Sequence, residues 1–196
     1  MLAGSAAAIG CGHRKATGYR GYCFVANRAG RSVGVVDLVN FRARKQIPLD
    51  SAPAQVIAHP REPKVLVLAP ESGAVFEIDA VKLAVTRRAT AGNSAVAMQL
   101  SPAQDALWVL SREPAALVQI PLAPMRPDRR IRLSSAPHSF DLGAGNVAAV
   151  ASAQSRTITL ASLTKGSVER TVEMGDEPSM VSYRKDGRHL FVASRP

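Results

Sequence analysis

The sequence repeats itself with a period of about 42 residues, and this period constrains the fold more than any other feature. Five short apolar segments mark the period; they begin at Tyr22, Val65, Leu107, Val147 and His189. Successive starts are 43, 42, 40 and 42 residues apart. Two further series keep the same step, apolar anchors at Val36, Ile78, Ile120 and Leu160 and prolines at Pro53, Pro137 and Pro178. Because three series share one period, we expect a chain built from repeated structural units.

Each period holds four short runs rich in Val, Ile, Leu or Phe, separated by Gly, Asn, Asp, Pro or Ser. Such runs predict short strands joined by tight turns, and no window sustains the apolar spacing of a helix. A unit of about 40–45 residues with four strands is typical of a β-propeller blade. The sequence therefore predicts an all-β propeller with about four four-stranded blades. The predicted units are 21–52, 53–92, 93–136, 137–177 and an incomplete one over 178–196.

Three segments carry a resemblance to a known family: FVAN at 24–27, GVVD at 34–37 and PAQVIAHP at 53–60. They resemble the repeats of the YVTN β-propellers, and the resemblance extends over about residues 21–196. It implies a ring that usually has seven blades in an exported bacterial protein. The matching polar residues, among them Asn27, Asp37 and Asp79, are predicted to hydrogen-bond nearby backbone in turns.

About four units are too few for such a ring, so the predicted propeller is partial. The first unit is expected to lack its inner strand, and the last to stop after its second strand. The chain is then a fragment of a longer product, the unstable product of a broken gene, or one of two copies that build a ring together. Bare strand edges favour pairing with other chains, so we expect self-association through the open blades.

The first twenty residues have the pattern of an export segment rather than of a strand. Residues 2–10 are small and apolar, and polar residues follow Cys11. This order is typical of secretory signals. The stretch Ala-Ile-Gly-Cys at 8–11 resembles the lipobox of bacterial lipoproteins, although Ala8 stands where Leu is preferred and no basic residues precede it. We therefore predict a leader and tail over residues 1–20, lipidation and membrane anchoring at Cys11, and a periplasmic or cell-envelope location. The alternative is a disordered tail with a free thiol.

The amino-acid composition indicates what kind of partner the protein could bind but not what reaction it could catalyse. The 196 residues are 46% hydrophobic, which suits one domain with a core, and no apolar run is long enough for a membrane-spanning helix. The net charge of +10 favours anionic partners such as nucleic acid, anionic lipid or acidic polysaccharide. A composition bias toward arginine would give the same total charge. The tightest cluster, and the candidate anion-binding site, comprises Arg126, Arg129, Arg130 and Arg132.

No catalytic residue, cofactor or metal site is predicted. The sequence lacks the nucleophile elbow, the phosphate-binding loop and the dinucleotide fingerprint, and its four histidines do not have zinc-site spacing. The polar residues of the predicted inner strands are the candidate lining of the central channel; they are Gln55, His59, Gln99, His138 and Asp141. The simplest interpretation makes His59 a turn residue and His138 a half-exposed strand residue. Cys23 is expected to be a buried thiol, and Trp108 to pack between blades.

Three functions fit these features. The leading hypothesis is an exported, non-catalytic binding or scaffold module that contacts an unknown protein or small-molecule ligand at one face of the propeller. The second is part of a propeller enzyme, lactonase-like or a quinone- or haem-dependent oxidoreductase, whose site lies partly in missing blades. The third is binding of nucleic acid or another polyanion through an arginine-rich face. A propeller hosts many functions, so the fold alone does not choose between them.

Overall fold

The computed structural model describes residues 20–134 and 136–195, and this part of the chain is built almost entirely from β-strands. The first sheet holds β1 (Tyr22–Asn27), β2 (Ser32–Asp37) and β3 (Arg42–Pro48). The second holds β4 (Gln55–Ala58), β5 (Lys64–Ala69), β6 (Ala74–Asp79) and β7 (Ala84–Thr90). The third holds β8 (Ser94–Leu100), β9 (Ala106–Glu113), β10 (Ala115–Pro121) and β11 (Arg129–Arg132). The fourth holds β12 (Ser139–Gly143), β13 (Val147–Ser152), β14 (Thr157–Ser162) and β15 (Ser167–Glu173), and the fifth β16 (Glu177–Tyr183) and β17 (Leu190–Arg195). A short 3-10 turn, Pro70–Ser72, follows β5.

Each sheet is an antiparallel meander in which every strand pairs with the next one along the chain. The second, third and fourth sheets have four strands each, whereas the first has three and the fifth has two among the described residues. The predicted all-β fold with about four propeller blades is confirmed, and the ring that these sheets form is not closed. Within the described residues, no helix has the length and apolar character needed to span a bilayer.

The second strand of each full sheet forms the core because both of its faces are covered by neighbouring sheets. β9 is buried from Ala106 to Ser111, and β13 is buried except at its first residue. Such strands read as continuous apolar runs rather than alternating ones. The outermost strands β3 and β15 are almost wholly exposed. Trp108, 2% exposed, packs in one cluster with Phe140 and Val150 of the next sheet, which confirms its predicted place between blades.

The hairpin turns repeat with the same period as the strands. Left-handed backbone occurs at Phe41 (φ 50°), Leu83 (φ 53°) and Met125 (φ 50°), each 42 residues from the next. Before each of the first two positions an aspartate closes the turn. Asp37 accepts the backbone N–H of Val39 at 2.8 Å, and Asp79 accepts those of Val81 and Lys82 at 2.8 Å. These bonds confirm the predicted turn role of both aspartates.

Candidate functional site

The inner strands of the last three sheets end at one face of the partial ring and border a cavity of about 350 Å³. Gln99 of β8, Asp141 of β12 and Tyr183 of β16 occupy equivalent places in the repeat, each 42 residues from the next. Arg184 and Lys185 extend the wall beyond β16. Because the inner strands of three successive sheets contribute residues, the position of the cavity is fixed by the sheets rather than by a single loop.

Polar side chains on the inner strands tie neighbouring blades together. The Gln55 amide pairs with both backbone groups of Met98, donating to the carbonyl oxygen at 2.8 Å and accepting the N–H at 2.9 Å. Gln99 donates to the Phe140 carbonyl oxygen at 3.1 Å, and Asp141 accepts the Tyr183 N–H at 2.6 Å. Gln55, Gln99 and Asp141 were candidate channel residues, and the structure gives each a hydrogen bond to the next inner strand.

Tyr183 is half-buried and lines one side of the cavity. A β-carbon added at Gly143 would lie 3.2 Å from the tyrosine ring, so the glycine leaves room for the phenol. Burial and the nearby Asp141 carboxylate raise the pKa of Tyr183. The phenol, which is protonated at neutral pH even at its ordinary pKa, is thus a hydrogen-bond donor. It can donate a hydrogen bond to a ligand that enters the cavity.

Two cations stand at the mouth of the cavity. Arg184 and Lys185 are exposed, and the Arg184 Nε lies 3.4 Å from an Asp186 carboxylate oxygen. Within the described residues Lys185 has no side-chain hydrogen bond or ion pair. The cavity therefore combines a phenol donor, a carboxamide, two positive charges and the Asp141 carboxylate, whose oxygens accept the backbone N–H groups of Leu142 and Tyr183. The two cations outnumber this one carboxylate in the wall, which favours a ligand bearing an anionic group.

The structure does not bring the candidate histidines to this cavity. His59 follows β4, and its Nδ1 accepts the backbone N–H groups of Arg61 at 3.3 Å and Glu62 at 3.0 Å. This geometry matches the turn interpretation of His59. His138 is exposed beside a separate cavity of about 230 Å³, which Arg112 also lines.

Two members of the arginine cluster, Arg129 and Arg130, hydrogen-bond to opposite neighbouring sheets. Arg129 donates to the carbonyl oxygens of Leu163 at 2.6 Å and Thr164 at 2.9 Å, in the turn between β14 and β15 of the fourth sheet. Arg130 donates to the Ala91 carbonyl oxygen at 3.1 Å, on the side of the second sheet. Arg126 and Arg132 are exposed. The fold therefore uses two of the four guanidinium groups to join neighbouring blades.

A buried ionic network that was not predicted from the sequence is centred on Glu77, which is 1% exposed in β6. Thr86 donates a hydrogen bond to the Glu77 carboxylate at 2.7 Å. The Arg87 Nε donates to the same carboxylate oxygen at 2.9 Å, and the Arg87 Nη2 contacts the other oxygen. Lys64 Nζ lies 3.5 Å from the same carboxylate. Arg87 also donates to the carbonyl oxygen of Leu122 at 3.0 Å, so the network reaches the next sheet. An acidic residue inside an otherwise apolar strand was the signal in the sequence.

Two cysteine expectations have different outcomes. Cys23 is a free thiol in the exposed part of β1, so the predicted burial is wrong. The reason is that the described part of the first sheet has no strand beyond β1 to cover it. Cys11 and the proposed leader lie outside the described residues.

Two further observations concern the wider surface. In the part of the chain that the structure describes, no group of three or more His, Cys, Asp or Glu side chains is placed to hold a metal ion. A third cavity, of about 590 Å³, lies between the first two sheets. Its wall is largely apolar and includes Tyr22, Phe24 and Val56.

Comparison with known proteins supports the fold alone. The chain is similar to a solved structure titled Kuenenia stuttgartiensis hydrazine synthase, with a TM-score of 0.76 and 19% sequence identity. The match covers 88% of this chain and 52% of that one, so the chain spans about half the length of the similar structure. No protein-family model matches the sequence, and the comparison with curated proteins finds no match.

Proposed function

We propose that this chain is a non-catalytic binding module of the cell envelope, and that it binds a small anionic ligand in the cavity at the ends of β8, β12 and β16. The observation that carries the proposal is the cavity itself. Three successive inner strands end around it, and Tyr183, Arg184 and Lys185 border it. Its volume of about 350 Å³ suits a small molecule or a short segment of a larger partner.

The chemistry of the wall favours recognition over catalysis. General acid–base work needs a carboxylate or imidazole free to exchange a proton with the ligand. The Asp141 carboxylate instead accepts the backbone N–H groups of Tyr183 at 2.6 Å and Leu142 at 2.9 Å. A ligand carboxylate would meet the Tyr183 phenol, on an inner strand that Asp141 ties to its neighbour, and the two exposed cations Arg184 and Lys185. The held position of Tyr183 favours binding because little order is lost at that residue when the ligand enters, and the two cations add attraction for a negative charge.

The proposed location at the cell envelope rests on the sequence. A small apolar stretch before Ala-Ile-Gly-Cys at 8–11 supports export and lipid attachment at Cys11. The FVAN and GVVD segments support a propeller of the YVTN type. An acyl chain adds about 0.8 kcal/mol of membrane affinity per buried methylene group, and stable anchoring of the module would need more than one such chain or a second signal.

The test is an NMR titration of the full chain with a panel of small carboxylates and their matched neutral amides. We expect carboxylates to shift the backbone amide signals of residues 141–144 and 183–185, and the amides to leave them unchanged. Replacing Arg184 and Lys185 by Gln should remove the shifts, whereas the same change at Arg61 and Arg188, two exposed arginines that do not line the cavity, should keep them. Equal shifts with acids and amides, or no shift in this region with any carboxylate, would reject the site.

A further inference from the structure

The outermost strands of the first three sheets carry charges of one sign. Every charged residue on β3, β7 and β11 is Arg or Lys. β15, the outermost strand of the fourth sheet, instead carries Glu169, Arg170 and Glu173. Successive sheets are neighbours in the partial ring, so the three cationic strands follow one another along its outer circumference. We call β3, β7 and β11 the basic rim.

Protection of the sheet edges explains only part of this pattern. Charged side chains on an edge strand discourage pairing with other chains. Either sign of charge gives that protection, and β15 obtains it with two acidic residues and one basic one. Edge protection therefore accounts for the presence of charge on the basic rim but leaves the uniform sign unexplained.

The cations of the rim differ in how they are used inside the fold. Arg87 and Arg129 donate to carbonyl oxygens of the following sheet, and Arg88 lies 3.3 Å from Asp50 of the preceding one. These residues hold blades together, and Asp50 and the Glu77 carboxylate offset part of their charge. They contribute positive potential without being free to reorient.

In the described part of the chain, β3 holds most of the rim cations that make no side-chain hydrogen bond or ion pair; Arg132 of β11 is a further one. Arg42, Arg44 and Lys45 are exposed, and within the described residues their side chains make no hydrogen bond and no ion pair. Of these three, Arg44 acts weakly on the Asp37 carboxylate. The pKa of Asp37 is lowered first by the hydrogen bond from the Val39 N–H, and the charge of Arg44 is the weakest cause. Three free cations within four residues make a dense and adaptable anion-binding segment.

We propose that the basic rim, centred on Arg42, Arg44 and Lys45, binds an acidic polysaccharide. Guanidinium groups pair with carboxylate or sulfate groups in a bidentate manner, and an extended polymer can follow successive strands around the circumference. The three strands carry no aromatic residue, and Phe41, 44% exposed, is a single flanking ring. Single-stranded nucleic acid favours a series of such rings, one for each stacked base, so the rim suits a polysaccharide better.

The experiment compares dextran sulfate with uncharged dextran as probes for the full chain. We expect dextran sulfate to bind with an affinity that falls steeply as salt increases, because binding releases counterions, and uncharged dextran not to bind. The variant R42Q/R44Q/K45Q should bind about tenfold or more weakly, with a flatter salt dependence. The matched control R61Q/R112Q/R195Q removes the same charge from exposed positions outside the basic rim and should bind within a few-fold of the wild type.

Several results would overturn the proposal. Equal losses in the two triple variants would show a response to net charge alone, and salt-independent binding or none at low salt would show that the rim is not a polyanion site. Tighter binding of duplex DNA at equal charge concentration, with the same dependence on β3, would reassign the rim to nucleic acid. The wild-type salt titration decides the polyanion question without any variant. The outcome is separate from the cavity proposal, because the probes, residues and strands differ.

Discussion

Glu77 shows how one residue couples the fold to pH. Burial alone would raise its pKa, but hydrogen bonds from Arg87 and Thr86 and the charges of Arg87 and Lys64 outweigh burial and lower the pKa below its ordinary value of 4.5. A carboxyl with a lower pKa in the folded state contributes stability above the unfolded-state pKa. That contribution is lost as the pH falls through the lower folded-state value, so acid should weaken the second sheet.

We expect Glu77→Gln to lower the free energy of unfolding by about 2–3 kcal/mol at pH 7, because Arg87 and Lys64 would lose their buried partner. The variant should also lose part of the stability change between pH 5 and pH 3 that Glu77 gives the wild type. Urea denaturation at several pH values measures both effects. The matched control is Glu71→Gln, whose exposed pair with Arg28 at 2.8 Å should contribute less than about 1 kcal/mol. Similar costs and similar pH profiles for the two variants would contradict this account of Glu77.

Sequence patterns predict residue roles well where the partner is close along the chain. Asp37 and Asp79 bond to backbone groups two or three residues away, and the turn motif alone indicated this. Arg129 reaches Leu163, 34 residues away, and no local pattern reports such a distance. The repeat held a usable signal, since the Arg-Arg pair at 87–88 recurs at 129–130, one period later. A pair that recurs at one blade position points to a structural role between blades.

At the scale of elements, the hairpins depend on a few left-handed positions. Gly73, between β5 and β6, has φ 59°, and a β-carbon there would lie 2.2 Å from the Gly92 carbonyl oxygen. We expect Gly73→Ala to lower the free energy of unfolding by about 2–4 kcal/mol, through backbone strain and the clash with the chain entering the third sheet. Thermal unfolding followed by circular dichroism measures the loss.

The control for that hairpin is Gly145→Ala. Gly145 lies in the turn between β12 and β13, and a β-carbon there would have no atom within 4 Å. Its effect should stay within about 0.5 kcal/mol. If both glycine variants unfolded at the wild-type temperature, the close approach of the second and third sheets at Gly73 would be disproved.

The strands themselves were predictable, but the direction of their polar side chains was not. Runs such as VLVLA at 65–69 and VAAVAS at 147–152 predicted core strands, and both are buried or nearly so. Gln55, Gln99 and Asp141 were expected on the inner strands and lie there. Whether such a side chain meets the next strand or a ligand depends on the spacing of blades, which periodicity does not encode.

At the scale of the molecule, the partial ring exposes two different ends. Val25 of the first sheet is 47% exposed, and Met180 and Phe191 of the fifth sheet are 57% and 62% exposed. The cavity lies between the third, fourth and fifth sheets, whereas Arg42, Arg44 and Lys45, the centre of the basic rim, lie on the first. The two proposed binding surfaces are therefore carried by opposite parts of the ring, and one can be altered without changing the other.

The central claim is that the cavity at the inner-strand ends is a binding site for an anionic ligand. Isothermal titration calorimetry tests it directly, with the carboxylate that gives the largest NMR shifts titrated into the wild type and the Arg184→Gln, Lys185→Gln double variant. We predict one site per chain and at least about tenfold weaker binding in the double variant, since charge-assisted hydrogen bonds are lost. Unchanged affinity in the double variant would contradict the claim and place the carboxylate elsewhere on the propeller.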